Sequence, residues 1–201
     1  MPYYTRASAY LKRARAQLDS QTREALFYAA FELRCGVEAR MRRYLDAHGK
    51  ITQLRSRGWE IAKMAKQLEN ANLRDRACRM RVFDVAQQRN LEFCYIPVSS
   101  DLEKMAERLG DYLHCPRHWH DDDHPWWEET RKRLEKVYDE LEYVCRGNLM
   151  GIPLLNPKTN KVHIEFETSD REGIEQAVRY HLRVHVQVEC LAKGRRICFD
   201  S

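Results

Sequence analysis

Arg108 and His114 stand six residues apart, with Asp111 midway between them. These are the residue types needed to handle a phosphodiester. In RNA the 2′-hydroxyl can attack its own phosphate. An imidazole, with an ordinary pKa of about 6.5, can carry a proton to or from the reacting oxygens at neutral pH. A guanidinium can stabilise the charge that grows on the phosphate oxygens. Chemistry of this kind requires no metal.

Arginines five to seven residues before a histidine recur elsewhere, so position must decide between the pairs. Arg42 and Arg43 precede His48, Arg117 precedes His124 and Arg179 precedes His185. His48 continues the apolar stripe of its helix, four residues after Tyr44, and reads as a packed terminal histidine. Arg179 and His185 lead into a predicted strand. Arg117 and His124 sit in a polar loop and form the alternative catalytic pair, with His118 supplying a polar residue after the arginine. That loop also gathers His114, Cys115, His118, His120, Asp121, Asp122, Asp123 and His124 within eleven positions. The ligand types suit a divalent ion, and His118, His120 and Asp122 are the weak candidates. Their spacing fits no standard zinc motif, and consecutive aspartates equally suit a helix N-terminus. No metal or cofactor is therefore expected. The sequence also lacks a glycine-rich phosphate loop, a Gly-x-Ser-x-Gly elbow and a His-Glu-x-x-His pair, which leaves nucleotide hydrolysis and serine-hydrolase chemistry unsupported.

The elements that must hold these residues are mostly helical. Ala7, Leu11, Ala14 and Leu18 form one face of a first helix over about 3–18. Leu26, Ala30, Leu33, Val37, Met41 and Tyr44 form the clearest stripe in the chain, on a helix over about 21–48 that Gly49 is expected to stop. A third helix over 58–70 shows a weaker pattern through Trp59, Ala62, Ala65 and Leu68. Ser100 and Glu103 form a capping box for a fourth helix over about 101–115. At 100° per residue, Leu102, Met105, Ala106, Leu109 and Leu113 cluster within about 60° of one direction on that helix. Arg108, Asp111 and His114 then fall near roughly 240°, 180° and 120° from the centre of that stripe, on the outward face. Pro125 suits the first position of a fifth helix over about 125–146, with Trp127, Leu134, Tyr138, Leu141 and Cys145 apolar. Trp126 and Trp127 read as packing residues at the helix entrance more than as a platform for bases.

Strand patterns interrupt and follow these helices. Cys78, Met80 and Val82, then Leu91, Phe93 and Tyr95, predict a β-hairpin near 76–96. The character changes after Gly147. Leu182, Val184, Val186, Val188 and Cys190 alternate with polar residues and predict a half-buried strand. The expected fold class is mainly α (α+β): a bundle over 1–147 carrying the hairpin, and a small β-rich element over 148–201.

Composition sets the outer bounds. Charged residues make up 32% of the 201-residue chain and the mean hydropathy is −0.72; no apolar run approaches the ~20 residues of a membrane span. Seven cysteines are scattered with no Cys-x-x-Cys pair, and Met1 to Arg6 lacks the apolar stretch of a secretory signal. Reduced thiols and a cytoplasmic location are the expectation. The net charge of +5, with 25 arginines against 10 lysines, permits an anionic partner without demanding one.

The order of elements resembles the HEPN superfamily. Ala7-Ser8-Ala9-Tyr10-Leu11-Lys12-Arg13-Ala14, a short break, and Glu24-Ala25-Leu26-Phe27-Tyr28-Ala29-Ala30-Phe31-Glu32-Leu33 are similar to its first two helices. Arg108-Leu109-Gly110-Asp111-Tyr112-Leu113-His114 is similar to its Arg-x(4–6)-His motif, although Leu109 stands where a polar residue is common. The likeness spans residues 3 to about 146 and does not extend to the hairpin or the tail. It implies a helical bundle that pairs as a homodimer, with Arg108, Asp111 and His114 serving metal-independent RNA cleavage, as in toxin or defence ribonucleases. The other expectation is a non-catalytic interaction subunit of a bacterial complex, using the same bundle to bind a protein partner.

Overall fold

The structure is a computed structural model and describes residues 5–20, 22–52, 61–70, 76–84, 89–114, 120–151, 154–156, 161–163, 167, 184–192 and 194–199. It is mainly helical with a small antiparallel sheet. No described helix is long and apolar enough to cross a membrane.

The first two helices follow their stripes. α1 (Ala7–Asp19) buries Ala7, Leu11, Ala14 and Leu18. α2 (Arg23–Thr52) buries Leu26, Ala30, Leu33, Val37, Met41 and Tyr44, and contacts every other described helix. α2 runs through Gly49 instead of stopping there, since a helical glycine costs only about 1 kcal/mol. At Gly36 of α2, both α1 and α5 (Trp126–Cys145) pack closely. A Cβ there would lie 2.7 Å from Leu141 Cδ2 and 3.2 Å from the Tyr10 Cβ. α3 (Ile61–Asn70) buries Ile61, Met64, Ala65 and Leu68 and leaves the expected Ala62 exposed; Trp59 lies outside the described residues. α5 buries Thr130, Leu134, Val137, Leu141 and Val144, with Trp127, Tyr138 and Cys145 only half-buried at its edges.

β1 (Cys78–Asp84) and β2 (Arg89–Tyr95) form the expected hairpin, Cys78 facing Tyr95 and Asp84 facing Arg89. β3 (Leu154–Asn156) and β4 (Lys161–His163) make a separate short pair. β5 (Val184–Cys190) joins the hairpin's sheet, which has the order β2-β1-β5. Cys78, Met80, Phe93 and Tyr95 bury one sheet face into the helical core. Val188 and Cys190 of β5 are exposed, although their face is the one expected to be covered. The tail also reaches the bundle: Leu149, Met150 and Ile197 lie in the common core, and the Ile197 amide donates to the Tyr143 hydroxyl at 2.7 Å.

α4 (Ser100–Arg108) begins one residue earlier than the capping box implies. Ser99 is the cap, and its hydroxyl accepts from the Leu102 amide at 3.1 Å. Ser99→Ala should cost about 1 kcal/mol of stability, seen as a lower urea midpoint with an unchanged slope. Pro125 likewise occupies the cap position of α5, just outside the first helical residue.

Candidate functional site

α4 does not continue to residue 115. It ends at Arg108, and Leu109–Leu113 form a 3-10 turn. Arg34 of α2 explains the change. Its Nη1 donates to the carbonyls of Glu107 at 3.3 Å and Ala106 at 3.5 Å, in the last turn, where helix carbonyls run short of intrahelical donors. A cation there also suits the negative end of the helix dipole. Glu38 steadies Arg34 through an ion pair at 3.1 Å. Gly110 leaves room for the guanidinium where it lies: a Cβ at that position would sit 2.9 Å from the same Arg34 nitrogen.

The tighter winding re-phases the candidate residues. In a 3-10 helix each residue turns about 120°, so positions i and i+3 eclipse. Leu109 and Tyr112 point inward, one buried and the other half-buried. Leu113 is expected on the same apolar stripe; it is instead 41% exposed, because four steps of about 120° carry it away from Leu109. Arg108, Asp111 and His114 follow one another at intervals of three and are all exposed. The roughly 120° fan expected from α-helical geometry thereby closes toward a single row. His114 ends the row with extended backbone, φ −105° and ψ 163°. At about 2 Å rise per residue, Arg108 and His114 are separated by about 12 Å along the axis, and the long arginine side chain can span part of that gap. Among the described residues, none of the three side chains forms a hydrogen bond or ion pair.

Aromatic packing fastens this turn to the bundle. Tyr112 lies 6.0 Å from Trp126, which lies 6.4 Å from Phe27 of α2 and 4.8 Å from Trp127, edge to face. Trp126 and Trp127 therefore serve as packing residues at the α5 entrance. His120 stacks on Trp126 with centroids 4.6 Å apart and planes 15° apart. His124 lies 4.7 Å from His120, and its Nδ1 accepts from the Trp126 amide at 3.1 Å. Asp122 pairs with Arg23, whose guanidinium also lies 5.4 Å from the Trp127 ring centroid. Asp121 accepts from the Trp127 indole through its carbonyl at 2.9 Å.

No family model matches this chain, and neither does any curated protein or solved structure. The geometry alone therefore separates the remaining candidates.

His120 and Asp122 are engaged with Trp126 and Arg23, and no group of three metal-ligating side chains converges among the described residues. Arg117 and His118 lie outside the described residues, so the alternative pair is represented only by exposed His124. His48 is half-buried on α2, and burial lowers its pKa; Arg179 lies outside the described residues. Arg34, Gly110 and Tyr112 position the row without standing out in the sequence. A signal is available in Gly110, a glycine placed late in a helical pattern, which permits close approach of a neighbour.

A face of α2 adjoins the row. Phe27, Phe31 and Arg34 are spaced for one helical face; Phe27 contacts Trp126 and Arg34 contacts the end of α4. Phe31, between them, is 44% exposed.

Proposed function

We propose that this chain binds RNA and cleaves it without a metal ion, as its resemblance to the HEPN superfamily implies. The observation that carries the reading is the row Arg108, Asp111 and His114, exposed and without partners among the described residues, on a turn anchored by Arg34 and Tyr112. In this reading Arg108 binds a phosphate and stabilises the charge of its transition state. His114 moves the proton between the 2′-hydroxyl, the phosphate and the leaving 5′-oxygen. Asp111 stands between them, where its carboxylate could orient the arginine or the imidazole once RNA is bound.

A second copy of the chain is part of this reading. A single row leaves arginine and histidine about 12 Å apart along the axis. A homodimer with Phe31 and Leu113 at its interface would bring two rows together and shorten that separation between subunits. The same exposed apolar side chains support a second reading, in which the bundle is a non-catalytic subunit that binds a protein partner through Phe31 and Leu113.

The test is incubation of the protein with single-stranded RNA in excess EDTA, followed by analysis of product ends. The expected products carry 2′,3′-cyclic phosphates, the mark of attack by the 2′-hydroxyl. Intact RNA, or cleavage only after a divalent metal is restored, would contradict the nuclease reading. Intact RNA together with a stable complex isolated from cells would favour the second.

A further inference from the structure

We propose that Cys78 and Cys190 form a reversible disulfide modification site that locks the edge strand β5 onto the sheet. The two are direct partners in the β1–β5 register, and their sulfurs lie 3.7 Å apart. The neighbouring pair is hydrogen-bonded, with the Leu191 amide donating to the Ala77 carbonyl at 2.9 Å. Alternation along an antiparallel ladder then makes Cys78 and Cys190 a non-hydrogen-bonded pair, where opposed Cα atoms approach to about 4.5 Å and side chains are closest. That spacing falls within the range that a disulfide spans, about 4.4–6.8 Å. Cys94, the other sheet cysteine, faces Arg79 in the β1–β2 register. Its side chain therefore projects from the opposite face and does not compete.

The two thiols have different roles. Cys190 is exposed and open to a soluble oxidant. Cys78 is buried, and burial together with the adjacent Cys190 pushes its thiol up to about 12, so it is the slower to react with solvent. With a hydroperoxide as oxidant, the Cys190 thiolate attacks one peroxide oxygen. An S–O bond forms, the O–O bond breaks, and the departing hydroxide takes a proton to become water. The Cys78 sulfur then attacks the Cys190 sulfenic acid. The S–S bond forms, the S–O bond breaks, and the hydroxyl leaves with the Cys78 proton as a second water. Two thiols and one hydrogen peroxide give one disulfide and two waters. Because the link joins positions 112 residues apart, it should raise the melting temperature by roughly 10 °C.

The experiment treats the folded full chain with hydrogen peroxide, blocks remaining thiols by alkylation, and maps peptides without reduction. The expected result is loss of two of the seven thiols, one peptide pair joined through Cys78 and Cys190, and recovery of both thiols in dithiothreitol. Cys190→Ser alters an exposed position. In that variant Cys78 should stay reduced under the same treatment, with no link formed. Linkage through other cysteines, crosslinking between chains, or equal oxidation of Cys78 in the Cys190→Ser variant would overturn the proposal.

Discussion

Arg40→Ala lowers the free energy of unfolding by about 3–5 kcal/mol, well above the cost of about 1 kcal/mol that is usual for a single substitution. Arg40 is buried, with 3% of its surface exposed, in the middle of α2. Its Nε donates to the Tyr44 hydroxyl at 2.9 Å, and its Nη1 reaches Glu167 at 3.3 Å. Nη2 donates to the Val144 carbonyl at 3.1 Å and also to the Gly147 carbonyl, satisfying the C-terminal end of α5. Tyr44 passes the network on by donating to the Ile96 carbonyl. Burial pushes its hydroxyl up to about 12, so it keeps the proton it donates. One guanidinium therefore joins α2, α5, the segment after β2 and the tail. Removing it takes a donor from the Tyr44 hydroxyl, the Glu167 carboxylate and the Val144 and Gly147 carbonyls, and a hydrogen bond left unmade in a dry interior costs about 1–3 kcal/mol. Urea denaturation followed by circular dichroism measures the effect. Arg40→Lys should recover only part of it, because an ammonium group cannot reproduce the fork geometry.

The second large effect is on chemistry. If the row on the 3-10 turn cleaves RNA, His114→Ala lowers the rate by about 10²–10⁴-fold, the usual worth of a positioned proton-transfer group. Arg108→Ala lowers it by about 10²–10³-fold through lost stabilisation of the phosphate charge. Both side chains are exposed and unpaired among the described residues, so neither substitution should move the urea midpoint appreciably. That separation matters. A fall in cleavage with unchanged stability points to the reacting groups, whereas parallel losses would point to the fold.

Helix faces were legible where the period was long and one-sided. The stripes of α1 and α2 in the sequence are the residues that are buried. The hairpin was legible for the same reason, since alternation over seven residues specifies which face is covered. The site was less legible. Over the five residues Leu109–Leu113, a 3-10 turn and an α-helix differ by only about 20° per residue. The choice was made by Arg34, 72 positions before Ala106, which no local pattern could supply. Leu113 is exposed off the apolar stripe as a consequence. Arg40 left a visible sign: a charged residue between Val37 and Tyr44 on the apolar stripe, where only a fully paired cation is tolerated. The pairing of β5 with β1 left none, because register between strands about 100 residues apart is set by the assembled core.

The most direct measurement places the wild-type chain and His114→Ala side by side with end-labelled single-stranded RNA in excess EDTA. Cleavage by the wild type and a loss of at least about 100-fold in the variant are expected, with matching urea midpoints for the two proteins. Equal cleavage by both, or none by either, would contradict the nuclease reading.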